Sequence, residues 1–173
     1  ARPNARVIVI GGNDASYGVK AKHPGGLRGE MEKEVGQLLD WDRLHFLGQV
    51  PYESYQQIIQ ISSCHIYLTM PFVRSWSLLE SMSMGATIVA SDVPPVREAM
   101  THGETGMLVD FFDAEAIAAQ VVDVLTRPDD YAHLGPAARQ HVIDSYDFHT
   151  VCLPEHLRQI NALVPADKQI ALP

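Results

Sequence analysis

The chain has 173 residues, 46% of them hydrophobic and 20% charged, and a formal net charge of −8. That balance describes one globular domain with a sizeable core rather than a disordered segment. It excludes a nucleic-acid surface, because nothing would neutralise a run of phosphates, while leaving room for a local basic pocket that holds one small anion.

No apolar run approaches the roughly 20 residues that span a bilayer. The opening ARPNARVIVIGG is too short in its apolar part for a signal peptide and enters a strand almost at once. This reads as a cytoplasmic chain cut from something larger. Cys64 and Cys152 have neither C-x-x-C nor metal-ligand spacing, which predicts buried free thiols in a reducing compartment.

Strands and helices alternate along the sequence. Val7 to Ile10 is a β-branched run closed by Gly11-Gly12 and reads as a buried parallel strand. The polar stretch NDASYGVKAKHPGG follows as a mobile loop. Leu27 to Leu39 has a helical face of Leu27, Met31, Val35 and Leu38. Leu44 to Leu47 is the next strand, stopped by Gly48, and Pro51 opens a helix through Ser62. Cys64 to Met70 and Ala86 to Ala90 are strands that flank the segment PFVRSWSLLESMSMG. Pro94-Pro95 start a short helix to about Met100, and Met107 to Val109 is a fifth strand after the turn HGETG. The remainder is helical: Asp113 to Leu125, Tyr131 to about Ser145, and about Phe148 to Leu163. The tail from Val164 to Pro173 reads as a loose end.

This alternation predicts a doubly wound, Rossmann-like α/β domain with a parallel sheet and helices on both faces. Ligands of such sheets bind beyond the carboxyl ends of the strands. Four loops are therefore expected on one rim: Gly11-Gly12, Gly48-Gln49, Pro71 to Ser77, and Ser91 to Pro95.

In Pro71 to Gly85 a strand end meets a helix start, whose unpaired N–H groups form an anion site. Ser75 and Ser77 add hydroxyl donors. Arg74 opposes the helix dipole unless an anion lies between, which fits either a phosphate or a side chain turned to solvent. Ser77-Leu78-Leu79-Glu80 is the capping-box pattern, with Ser77 as cap and Glu80 folding back to it. Alternatively, the Glu80 carboxylate accepts two hydrogen bonds from a ligand diol such as a ribose.

Gly11-Gly12 is either a tight strand exit or a place where a ligand approaches the backbone; it is not G-x-G-x-x-G. His45 and His65 read as histidines in or near the core, His102 as a turn residue, and Asp92 as either a rim ligand or a helix cap. No metal-ligand cluster, G-x-S-x-G elbow or Walker loop is present in the sequence.

Taken in order, RPNARVIVIGG, RLHFLGQVPYESY, SLLESMSMGATIVASDVPPVREAM, HGETGMLVD and the late SYDFHTV resemble the C-terminal domain of family-4 retaining glycosyltransferases of the GT-B fold. The resemblance implies a nucleotide-diphospho-sugar donor site over residues 1–163, with 164–173 as a tail. It further implies a sugar acceptor held by a separate N-terminal domain of the same enzyme, and transfer with retention and no obligatory metal or other cofactor.

The family's signature is two glutamates separated by seven residues around a glycine-rich turn. Glu80 matches the second, the ribose ligand. The first falls on Phe72, so no catalytic residue is assigned. The resemblance puts phosphates against Arg74, Ser75, Trp76, Ser77, Leu78 and Leu79, mainly through backbone N–H groups. It puts the base against the strand end Phe46-Leu47-Gly48-Gln49, with Leu47, Gly48 and Gln49 as the contacts, and the donor close to the backbone of Gly11 and Gly12.

The family's first, central strand, with its glycine-arginine turn and lysine, does not precede Ala1. Its position is then closed up, filled by a neighbouring chain through dimerisation or strand exchange, or distorted, and the fragment alone is expected to be inactive. Two other functions fit less of the sequence: a sugar-nucleotide epimerase of GT-B architecture, and a non-catalytic α/β binding module.

Overall fold

The computed structural model describes residues 4–14, 21–70, 74–165 and 168–170. They form two compact units, Ala1–Ile58 and Ile59–Pro173. The first unit holds β1 (Val7–Ile10), α1 (Gly26–Val35) with a 3₁₀ turn Gly36–Leu38, β2 (Leu44–Gly48), and most of α2 (Tyr52–Ile61). The second holds β3 (His65–Tyr67), α3 (Trp76–Ser83), β4 (Ile88–Ser91), the short α4 (Pro94–Arg97) and β5 (Met107–Val109). After these come α5 (Ala114–Thr126), α6 (Pro128–Tyr131), α7 (Leu134–Tyr146), a π-helical turn Phe148–Cys152, and α8 (Leu153–Asn161).

Every strand pairing is parallel, as the alternation predicts. The hydrogen bonding, however, makes two sheets rather than one, ordered β1-β2 and β3-β4-β5. Two of the four expected rim loops follow strands of each unit. β4 is buried along its whole length, and because successive side chains face opposite sides, helices cover both faces of its sheet. Leu78 and Met82 of α3, Val96 and Met100, Val124 of α5, and Leu134 and Ala138 of α7 complete this core.

The expectation of a buried β1 is corrected. Val7, Ile8 and Val9 are 48%, 43% and 39% exposed, because among the described residues β1 pairs with β2 alone, in a two-stranded sheet. β3 is also shorter than expected. The Thr69 N–H turns to the Ser91 hydroxyl (2.7 Å), which takes it out of the ladder.

Prolines explain the broken C-terminal helices. Pro136 has no N–H for the carbonyl of Ala132, so the helix expected from Tyr131 restarts at Leu134 with the proline in its first turn. Pro154 likewise cannot donate to Thr150, and the chain widens before it: the Asp147 carbonyl accepts from Val151 (3.0 Å) and Cys152 (2.9 Å). The described part of the tail is tied down rather than loose. The Asn161 side chain donates to the Ile170 carbonyl (2.7 Å) and accepts from its N–H (2.8 Å). Residues 15–20 of the expected mobile loop lie outside the described residues.

α7 lies antiparallel along α3. Gly135 at its start meets Gly85 just beyond the end of α3, and Arg139 donates to the carbonyl of Ser83. Tyr146 at its end faces Arg74 just before α3 begins. The approach at the first contact is so close that a Cβ on Gly135 would stand 2.1 Å from the Gly85 carbonyl oxygen. Gly135→Ala therefore forces two backbones apart, and is expected to cost about 1–3 kcal/mol, read as a lowered melting temperature by circular dichroism.

Candidate functional site

In the first unit, Val9 pairs with Phe46 but Ile10 pairs with Gly48. The extra residue, Leu47, is a bulge and is thrown outward, nearly half exposed. The slip lets the Gly11 N–H donate to the Gly48 carbonyl (2.9 Å), so the two main chains lie side by side at the end of the sheet. A Cβ on Gly11 or Gly48 would meet nothing within 4 Å.

A pocket of about 200 Å³ opens here, and its lining includes Gly11, Gly12, Asp14, Arg28, Phe46 and Gly48. The structure thus brings together three glycines that the sequence places on separate loops. Gln49 stays at the margin, its Nε2 4.0 Å from where a Cβ on Gly12 would stand.

One wall of the pocket is formed by α1, and the sequence reading missed it. The Asn13 carbonyl accepts the Arg28 N–H (3.0 Å). The chain at Gly26 presses so closely on the same carbonyl that a Cβ would lie 2.4 Å from the oxygen. This packing aims the Arg28 side chain at the sheet. Its guanidinium carbon lies 3.9 Å from the centre of the Phe46 ring, and its Nε donates to Glu32 (2.6 Å). The signal available in the sequence was GGLRG, in which glycines without an obvious turn announce a close approach.

In the second unit, the segment before α3 is fixed from below. The Ser75 N–H donates to the hydroxyl of the buried Tyr67 (3.1 Å), and the hydroxyl of the buried Ser91 holds Thr69. The helix begins at Trp76 with Ser75 as its cap residue and no side-chain cap bond. The capping-box expectation is therefore corrected. Ser77 is inside the helix, its hydroxyl 2.6 Å from that of Ser75, and Leu78 rather than Glu80 holds the third helical position. Glu80 sits a full turn inside α3, where the reciprocal bond of a capping box is out of register.

Trp76 and Ser77 head the helix with N–H groups that no intrahelical carbonyl reaches. The Leu78 N–H points at the Ser75 carbonyl (3.3 Å), and the Leu78 side chain is fully buried with Leu79 half-buried beside it. The Trp76 side chain is 82% exposed.

Arg74 is largely buried, with its side chain 21% exposed. Glu98 lies 3.8 Å from it, and the Tyr146 ring 5.4 Å from its guanidinium carbon. At that distance Glu98 makes no hydrogen bond, and the buried Arg74 Nη1 has no hydrogen-bond partner among the described residues. Pro71, Phe72 and Val73 lie outside the described residues.

Of the other candidates, Asp92 is not the helix cap and pairs with Arg97. It accepts two bonds from Arg97 (2.5 and 2.8 Å), and Val93 is the cap residue of α4. His65 is half-buried, and burial lowers its pKa and favours the neutral ring. The His102 Nδ1 accepts the Leu108 N–H (3.0 Å), which makes it a turn residue. Cys64 and Cys152 are free and half-buried, and burial pushes the Cys64 thiol up to about 11, too high for a nucleophile at neutral pH. Among the described residues no group of three or more His, Cys, Asp and Glu is placed to hold a metal, and no helix is long and apolar enough to cross a membrane.

Parallel sheets flanked by helices, with ligand-sized space at the strand ends, define a Rossmann-like domain of the GT-B kind. Residues 1–141 match the family "Glycosyl transferases group 1", and the chain belongs to that family. It is 27% identical over 154 residues to the phosphatidyl-myo-inositol mannosyltransferase of Mycolicibacterium smegmatis, covering 86% of this chain and 35% of that protein. The chain thus spans about a third of that relative's length.

Its fold superposes on the sucrose-phosphate synthase of Thermosynechococcus elongatus with a TM-score of 0.75 at 25% identity, covering 94% of this chain and 40% of the other. It superposes on Anabaena HepE, solved in complex with UDP, with a TM-score of 0.78 at 18% identity, covering 94% and 42%.

The Arg97 hydrogen bonds hold the Asp92 carboxyl below the usual carboxylate range. A depressed folded pKa means that the pair's contribution is complete above the unfolded pKa and is lost as pH falls through the folded one. Arg97→Ala should move the Asp92 carboxyl titration, followed by carbon-detected NMR, up toward the ordinary value. Neutral-pH stability should change little, because the pair is exposed.

Proposed function

We propose that this chain is the donor-binding part of a retaining glycosyltransferase that takes its sugar from a nucleotide-diphospho-sugar. The observation that carries the reading is the start of α3: a helix headed by Trp76 and Ser77, without a side-chain cap, one turn before a carboxylate that cannot serve as a capping-box partner. In a family of glycosyl transferases, that arrangement suits a diphosphate at the helix start and a ribose diol on Glu80.

The N–H groups of Trp76 and Ser77 and the hydroxyls of Ser75 and Ser77 face the charge that develops on the leaving diphosphate as the glycosidic bond to it breaks. Preorganised donors of this kind stabilise a transition state without reorganising. Arg74, beside the Tyr146 ring and with a buried Nη1 that has no hydrogen-bond partner among the described residues, adds positive potential near the helix start. The base is held by the backbone at Leu47, Gly48 and Gln49, and Gly11 and Gly12 let the donor approach closely. Binding, orientation and charge stabilisation are the roles assigned to this chain. The acceptor is held by another domain, and the isolated chain is inactive in transfer.

Titration calorimetry with UDP, GDP and ADP tests the donor site. Glu80→Gln should weaken the best nucleoside diphosphate about tenfold, the order of a lost charge-assisted hydrogen bond. The variant should bind the 2′,3′-dideoxy analogue as the wild type does. An unchanged affinity for the ribonucleotide would remove Glu80 from the ribose.

A further inference from the structure

The first unit's pocket contains a cation whose charge is already balanced. Arg28 lies on Phe46, with 3.9 Å from its guanidinium carbon to the ring centre, and donates to Glu32 at 2.6 Å. A guanidinium neutralised by a carboxylate and laid on an aromatic ring is a poor clamp for phosphate. It is a good flat surface, since guanidinium planes stack on aromatic rings and on nucleobases. Its orientation is set in advance by the Asn13 carbonyl on its own N–H, by Glu32 on its Nε and by Phe46 on its face, so little side-chain entropy remains to be lost on binding.

The rest of the lining joins Gly11 and Gly48, tied by their hydrogen bond with open space beside each, to Val9, Asp14, Leu27 and Met31. The pocket of about 200 Å³ has room for a planar heteroaromatic ring beside the guanidinium.

We propose that Arg28, backed by Phe46, is the stacking surface for the nucleobase of the donor and a determinant of nucleotide affinity. The proposal rests on the donor-site reading above, and adds to it a side chain on α1 where that reading has only backbone groups.

The test is a comparison of wild type, Arg28→Met and Arg28→Lys by titration calorimetry with UDP, GDP and ADP. NMR of the wild-type Arg28 Nε–H accompanies it. Loss of the plane should weaken the best nucleoside diphosphate about tenfold, in the range of base stacking on a flat side chain. Lysine should not restore it, because the charge is kept and the plane is lost. In the wild type the Nε–H resonance should shift upfield on adding the nucleoside diphosphate and stay in place with inorganic pyrophosphate.

If no nucleoside diphosphate binds the wild type, the donor-site reading itself fails. If one binds but Arg28→Met binds it equally well, or Arg28→Lys restores full affinity, the stacking role is overturned and the donor site stands. If either variant fails to fold, the wild-type resonance decides: no shift at saturation overturns the proposal.

Discussion

The second unit depends on a strand that has no side open to water. Each of Ile88, Val89, Ala90 and Ser91 is fully buried, so elements on both faces must be in place before β4 is stable. The fully buried Leu78, Met82, Val124 and Leu134 come from three helices widely spaced in sequence, and α3 is one of them. The start of α3 inherits its position from this core. Its near end is set by Tyr67 and Ser91, which hold the chain between β3 and the helix, and its far end by the contact of Gly85 with Gly135.

The first unit is built by a different means. Its strands expose their apolar side chains, and its order comes from main-chain contacts: the parallel ladder of β1 and β2, the Gly11–Gly48 bond, and the Asn13 carbonyl at the start of α1. Such contacts fix geometry closely while burying little apolar area, so this unit gains less from the hydrophobic effect than its neighbour. A pocket that joins the main chain of Gly11 and Gly48 to a braced arginine is consistent with that construction.

Element type was readable along most of the sequence because the strands are short β-branched runs and the helices carry apolar faces. Val7–Ile10 and Met107–Val109 are found at their expected bounds. What escaped was governed by groups that periodicity does not see. Pro136 and Pro154 interrupt helices whose apolar spacing runs through them. The Ser91 hydroxyl shortens β3 by taking an N–H from its end.

The capping pattern at Ser77 was real as a string, but Ser75 lies two residues earlier with its N–H on Tyr67, a tertiary contact that a local motif cannot contain. Arg28 escaped for the same reason: its surroundings come from Asn13, Phe46 and Glu32, and only the last is close in sequence. Gly11, Gly12 and Gly48 were legible because an apolar run that stops on glycine marks a tight exit or a close approach to the main chain.

The slip at Leu47 has an evolutionary consequence. Because the extra residue projects away and the sheet end is closed by the main chain of Gly11 and Gly48, that part of the pocket keeps its chemistry whatever side chain stands at position 47. Substitution can retune this pocket from α1 and the loop before it, and from Val9 and Phe46 on the strands. Changes there alter the pocket without disturbing the ladder that holds it open.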